Sequence, residues 1–307
     1  MNPFRIVLGY FLLCFIACTS APPKEQVAIS EGNDGTYLME YGPLQVEIKP
    51  QLGGRISGLI YKGQSLMTGP ELGDLGHGST FWPSPQAVWS WPPPAALDSK
   101  AYAAQQVGDT LVLTSQVDSL QGLVFTKKIF LDTRDTSLLL TYQIHNQGDS
   151  SRGVAPWEIS RVPKGGLTFF PKGENEPQLK GFSKGIDYEL REGVYWYANQ
   201  AEDTTSQHQL SIADGGEGWL AHASGAVLWV KSFEDIPLIA AAPGEGEIPI
   251  YVSPEKPFME VEVQGAYREL AAGASYNWPM RWSFYPLSPA LQLAIGNSDL
   301  VRLARNK

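Results

Sequence analysis

The sequence predicts an all-β protein: one large antiparallel β-supersandwich followed by a short C-terminal helix. Three observations carry this reading. After Gly35 the chain is dominated by short apolar or alternating runs, such as Leu44-Gln45-Val46-Glu47-Ile48, Leu138 to Ile144 and Val261-Glu262-Val263. Val, Thr, Tyr and Phe are frequent in them, as strands prefer. The runs are separated by turn residues, and the 307-residue chain holds 31 Gly and 23 Pro without a collagen period. A hydrophobic share of 43% suffices for a sizeable core, and no long linker divides the chain. All-β domains of about 200–250 residues are common as single units.

The N-terminus reads as an address. Arg5 precedes the apolar run Ile6 to Leu13, which is followed by Cys14-Phe15-Ile16-Ala17-Cys18. A basic residue, a short apolar stretch and a small residue form a secretory signal pattern. The run is too short for a transmembrane span. Ala17-Cys18 resembles the cleavage site of bacterial lipoproteins, with Phe15 in place of the usual aliphatic residue. Residues 1–17 are therefore expected to be removed and Cys18 lipidated. Residues 18–35, polar and carrying Pro22-Pro23, are expected to form a flexible tether. Residues 36–307 then form the single domain of a monomer in the bacterial cell envelope. Both cysteines of the chain lie in the leader, so no disulfide is expected in the domain.

Roughly fifteen strand-like runs fill the domain, near the spacing of a sandwich. Asn146-Gln147-Gly148-Asp149 and Asp214 to Gly218 are turn signals. Only Pro289 to Asn306 reads as helical, with Pro289 in its first turn and Leu291, Leu293, Ile295, Leu300 and Leu303 as apolar positions.

Three stretches carry candidate chemistry. In the first, Gly53-Gly54 before Arg55 permits a tight bend that presents the guanidinium beside a strand; a hairpin with a solvated Arg fits equally. The second runs from Phe81 to Pro94 and holds Trp82, Trp89 and Trp91 among five prolines. Pro lacks the ladder donor, so this segment reads as a stiff loop rather than a central strand. Aromatic faces on a stiff loop suit the apolar C–H face of a pyranose, and Gln86 can bond two hydroxyls. A rigid plug closing one end of the sandwich is the alternative. The third stretch combines Pro156-Trp157-Glu158 with Phe258 to Gln264. Glu260, Glu262 and Gln264 alternate and share one strand face, which is either solvent-facing or the wall of a cleft.

Taken in order, these stretches resemble the galactose-mutarotase-like superfamily, the aldose epimerases and their relatives, over residues 36–286. Gly53-Gly54-Arg55-Ile56 with Gly63 to Met67 is similar to their opening. Ile144 to Asp149 is similar to their strand ending in an Asn-x-Gly turn. Val261-Glu262-Val263 followed by Leu270-Ala271-Ala272-Gly273 is similar to their catalytic Glu strand. Phe81 to Pro94 with Pro156-Trp157-Glu158 resembles more closely the family known as domain of unknown function 4380. The resemblance implies substrate contact by Arg55 and a catalytic base at Glu262. The family's acid, a His, is replaced here by Trp157 or Glu158. His77, His145, His208 and His222 are read as structural.

The implied ligand is a mono- or oligosaccharide, bound by Arg55, Gln86, Trp89, Trp91 and Trp157. The protein is read as a carbohydrate-binding lipoprotein without catalysis. The alternative is an aldose or uronate mutarotase using Glu262 as base and Glu158 as acid, and a lyase or hydrolase is a third reading. No cofactor or metal is expected, because four His and two leader Cys make poor ligand sets. Nucleic acid is not an expected partner: 32 acidic against 23 basic residues give a net charge of −9, and a basic patch is what displaces counterions. The anchor is testable. Cys18→Ser should move the protein out of the membrane fraction and remove the mass of the acyl chains, since stable anchoring needs more than one chain; unchanged fractionation and mass would refute lipidation.

Overall fold

Alternation decides how each strand sits. In Leu44–Lys49 the residues Leu44, Val46 and Ile48 are buried while Gln45 is exposed and Glu47 and Lys49 are half-buried, so one face meets the core and the other does not. The central strand Arg152–Pro163 is different: every residue from Val154 to Val162 is buried. Such a strand must be covered on both faces.

The computed structural model describes residues 26–179, 185–200 and 208–306. Among these, two antiparallel sheets of twelve and ten strands make the predicted sandwich. The twelve-stranded sheet begins at Ala28–Glu31 and passes through Arg55–Tyr61, Ser79–Ser84, Arg152–Pro163, Phe258–Gln264, Ile248–Val252 and Gln209–Ala213. The ten-stranded sheet centres on Val227–Ser232, Ser275–Pro286 and Ser137–Asn146. The main core lies between them. Phe81 from the first sheet stacks on Tyr142 from the second with ring centroids 4.3 Å apart, and also meets Phe125 at 4.8 Å.

One buried ion pair ties the two sheets. Lys231 of Val227–Ser232 reaches Glu158 of Arg152–Pro163, Nζ to Oε2, at 2.6 Å, and donates to the Val261 carbonyl at 2.7 Å. The two side chains are 2% and 0% exposed. The rings of Trp229 and Trp282 flank the ammonium with centroids 5.1 and 5.4 Å away. Burial pulls the Lys231 pKa down, and the Glu158 charge opposes that.

Three sequence expectations change. The stretch 18–35, expected as a tether, contains the strand Ala28–Glu31, which pairs with Tyr37–Tyr41 and starts the sheet; residues 1–25, with Cys18, lie outside the described residues. The Trp/Pro segment is not all loop: its first four residues belong to the strand Ser79–Ser84, which pairs with Arg152–Pro163. There Pro83 stands opposite Pro156. Neither can donate, so the pair must occupy a position where ladder bonds are made by the flanking residues. The Pro rule excludes a donor position, not the strand. Finally, the helix starts at Ser298 rather than near Pro289 and ends at Arg305. Asn297 caps it by accepting the Asp299 N–H at 2.9 Å, as capping residues do. Its Leu300 and Ala304 pack into a second apolar cluster with Phe169, Trp196 and Trp219.

Breaking the inter-sheet pair has a defined cost. Glu158→Gln or Lys231→Met each leaves one buried charge without its partner and should destabilise the fold by about 3–5 kcal/mol in chemical denaturation. The double variant should recover most of that loss, because both charges are gone.

Candidate functional site

Register along four strands builds a cavity on the outer face of the twelve-stranded sheet, the face turned away from the second sheet. Directly opposite residues share a face. Trp82 stands opposite Trp157, and Trp157 opposite Gln264. One step along, Ile159 stands opposite Glu262. A further step brings Arg161, Glu260, Tyr251 and Leu210 into one row across four strands. The intervening residues point inward: Val261 and Val263 are 1% and 0% exposed in the main core.

The cavity measures about 420 Å³, within the range of small-molecule sites, roughly 300–1,000 Å³. Trp82, Trp91, Trp157 and Tyr251 supply aromatic walls; Gln86, His208, Glu255, Lys256, Glu260 and Glu262 supply the polar groups. Leu75, Leu210 and Phe258 complete the apolar lining. Trp82 is the hub of the aromatic part. The rings of Trp157, Trp91 and Trp89 meet it edge-on, with centroids 5.3, 5.8 and 5.9 Å away.

Glu262 is 2% exposed and accepts a hydrogen bond from Trp157 Nε1 at 2.6 Å. Burial pushes its carboxyl well above the usual carboxylate range, and the neighbouring Glu260 charge pushes the same way; the Trp157 bond and Arg161 oppose. Burial also raises Glu260, against the pull of Arg161, whose Nε lies 2.9 Å from Glu260 Oε1. Arg161 donates to Thr80 Oγ1 at 3.1 Å and lies over the Trp82 ring at 5.5 Å. At the opposite rim His208 Nδ1 and the Tyr251 hydroxyl are 2.6 Å apart. Gln86 sits in a short 3-10 turn, Gln86–Val88, whose first N–H donates to Glu245 at 3.2 Å. Glu245 also accepts from Gln264 Nε2 at 3.3 Å, and Gln264 in turn accepts from Ser84 Oγ at 2.6 Å. The turn is thus fastened to the sheet beneath it.

The family model described as Domain of unknown function (DUF4380) matches residues 82–285. The chain belongs to the DUF4380 family. Solved structures agree on the fold. A galactose mutarotase-like protein from Lactobacillus casei superposes with a TM-score of 0.59 at 12% identity, covering 82% of this chain and 100% of the other. A putative aldose 1-epimerase from Escherichia coli K12 gives 0.56 at 15%, covering 82% and 99%. Galactose 1-epimerase from Lactobacillus acidophilus gives 0.50 at 10%, covering 86% and 99%. No curated protein sequence matches.

In this DUF4380 protein the expected site residues separate into two groups. Glu262, Gln86, Trp91 and Trp157 line the cavity; Glu158, Arg55 and Trp89 do not. Glu158 is one residue from Trp157 and therefore on the opposite face, inside the sandwich with Lys231. It cannot act across a ligand from Glu262, which removes both the acid expected of a mutarotase and the carboxylate pair expected of a hydrolase. Arg55 is 1% exposed and bonds the carbonyls of Asp74 and His77. Its Nη2 lies 3.7 Å from Asp98, which accepts Trp82 Nε1 at 2.7 Å. It fixes the loop that carries Leu75 and the back of Trp82 rather than touching a ligand. Trp89 is 5% exposed and donates to the Pro83 carbonyl at 2.8 Å, supporting Trp82 and Trp157 from behind.

Sequence reasoning missed His208, Tyr251, Glu255 and Lys256, and treated Glu260 only as a neighbour of Glu262. The pairing of Gln209–Ala213 with Ile248–Val252, which sets His208 beside Tyr251, joins segments distant in sequence and leaves no local signal. His77 and His222 are buried elsewhere, bonded to the Gly73 carbonyl and Thr168, and His145 bonds Ser275. Among the described residues no group of three His, Cys, Asp or Glu could hold a metal ion.

The raised Glu262 makes a pH prediction. A carboxyl with a folded pKa above its unfolded value favours folding most at low pH; that contribution is lost as pH rises from the ordinary Glu range through the folded pKa. Gln keeps the acceptor for Trp157 and cannot ionise. Thermal melts of Glu262→Gln should therefore fall less than wild type between acid and neutral pH. Parallel curves would show that Glu262 ionises as easily folded as unfolded.

Proposed function

We propose that this protein binds carbohydrate through the outer-face cavity, one sugar ring at a time, as a lipid-anchored envelope protein held by Cys18. One observation carries the reading: Trp91, Trp157 and Tyr251 line the same cavity as Gln86, Glu260 and Glu262. A pyranose has both an apolar C–H face and a rim of hydroxyls, and needs both kinds of partner. Trp91 is the exposed member, at 55%, and so the ring free to close on a ligand. The sugar-directed names of the structural neighbours support the same class.

A second reading has its own observation. A buried carboxyl with a raised pKa, as at Glu262, suits general acid–base work because it exchanges a proton nearer neutral pH. An aldose mutarotase would use Glu262 as base. Its acid would have to come from the cavity, where His208, Tyr251, Glu255, Lys256 and Glu260 are the other titratable groups.

One experiment separates the readings. Calorimetry with a panel of aldoses should find a ligand in the micromolar to millimolar range, about −8 to −4 kcal/mol. Trp91→Ala should weaken it by about 1–3 kcal/mol. Anomer exchange followed by NMR on the same sugars should proceed at the solvent rate for a binding protein. Acceleration that Glu262→Gln removes, by about 10²–10⁴-fold, would establish the mutarotase. Absence of any bound sugar would refute both.

A further inference from the structure

The cavity is longer than a single sugar ring. Its floor crosses five adjacent strands, from Ser79–Ser84 through Arg152–Pro163, Phe258–Gln264 and Ile248–Val252 to Gln209–Ala213. At about 4.8 Å between neighbouring strands, the floor from Trp82 to Leu210 runs about 19 Å.

The two ends differ in what they have left to offer. At the first end Trp82, Trp91 and Trp157 stand with Gln86 and Glu262. Among the described residues the Gln86 side-chain amide has no hydrogen-bond partner, its backbone N–H alone being engaged. Glu262 accepts only at Oε2, from Trp157. At the far end the polar groups are already engaged. His208 is bonded to the Tyr251 hydroxyl, and Glu260 is paired with Arg161. Ser253 accepts the Lys256 N–H at 3.1 Å, and the Lys256 ammonium donates to the Leu72 carbonyl at 2.9 Å. Glu255 is exposed in the turn between the two strands, where a carboxylate stays hydrated. The surface left open there is apolar. Leu75 is 41% exposed, and Leu210 and Tyr251 are half-buried. Phe258 stands beside Tyr251 with ring centroids 6.3 Å apart.

We infer that the ligand is a glycoside with an apolar aglycone: its sugar ring lies at Trp157, Gln86 and Glu262, and its alkyl or aryl group at Leu75, Leu210 and Tyr251. This rests on the carbohydrate reading above and names its substrate class. Sugar hydroxyls lose water on entry and need hydrogen-bonding groups in return, which the first end supplies. An alkyl or aryl group needs none and gains by leaving water for apolar surface, which the far end provides. A second sugar ring there would compete with the His208–Tyr251 and Arg161–Glu260 contacts for its partners, or leave hydroxyls unpaired. A glycoside carries no free anomeric hydroxyl, so it is held rather than interconverted.

Calorimetry on the full chain tests this. The probes are the methyl, hexyl and phenyl glycosides of glucose, galactose and mannose, with lactose and maltose as ligands offering a second sugar ring. For the hexose that binds, the hexyl or phenyl glycoside should bind roughly tenfold tighter than the methyl glycoside, the gain from burying about two methylenes. The heat capacity of binding should also be more negative. A gain for hexyl alone identifies an alkyl source, such as a glycolipid, and a gain for phenyl alone an aryl one. Leu75→Ser and Leu210→Ser, checked for folding by circular dichroism, should each shrink the ratio of apolar-glycoside to methyl-glycoside affinity. Equal binding of the methyl, hexyl and phenyl glycosides would overturn the aglycone assignment and leave the sugar reading standing. So would a gain for lactose or maltose that neither apolar glycoside shows, or a ratio that both serine variants leave unchanged. If no probe gives a heat that Trp91→Ala reduces, the sugar reading falls, and the aglycone with it.

Discussion

The Glu158–Lys231 pair constrains the rest of the structure. It joins the centres of the two sheets at 2.6 Å with both partners buried, and it admits only one facing for the strand Arg152–Pro163. A slip of one residue would turn Glu158 outward and drive Trp157 into the core. Because Trp157, Ile159 and Arg161 alternate with Glu158 and Ser160, fixing one carboxylate inward fixes three side chains outward. The neighbouring strand follows: Val263 opposite Glu158 goes inward, and Glu262 opposite Ile159 goes out to the cavity. A buried ion pair is a poor source of net stability, since desolvation offsets much of the attraction. Its consequence here is orientation.

Behind the cavity lies a second layer of buried charge. Trp82 is held at its N–H by Asp98, Asp98 faces Arg55, and Arg55 gathers the carbonyls of Asp74 and His77. Close by, Lys127 donates to the carbonyls of Gly53 and Gly54 at 2.8 and 3.2 Å, and burial lowers its pKa to about 7. The two glycines take φ of +66° and +57°. A Cβ on Gly53 would stand 1.8 Å from the Asp98 carbonyl oxygen, so only Gly fits this close approach. The motif that suggested a ligand-binding Arg is therefore a bracket. It sets the aromatic hub, and the hub sets the wall.

The site was legible in the sequence where a local pattern was enough. The alternation Glu260-Val261-Glu262-Val263 gives the facing of four side chains, and the strand geometry follows it. Aromatic residues on a Pro-rich turn pointed to Trp91 and Gln86, and both line the cavity. The same reasoning failed for Trp89, two residues away, because whether a Trp faces solvent or its neighbours depends on where the turn folds back. It failed for Arg55 and Glu158 because a charge is read as exposed until a partner is known, and their partners are 43 and 73 residues distant in sequence. Pro83 misled for the opposite reason: its handicap as a donor disappears when it faces another proline.

By itself, the sequence determined the all-β class, the single sandwich, the helix near the C-terminus and the outward facing of Glu262, because each follows from short-range periodicity and turn chemistry. The tertiary structure alone decided which side chains meet. His208, Tyr251 and Glu260 come together by the register of three strands, and a register is set by the whole buried face rather than by any one segment. Glu158 and Glu262, adjacent across one strand pair, are separated by the thickness of a sheet for the same reason.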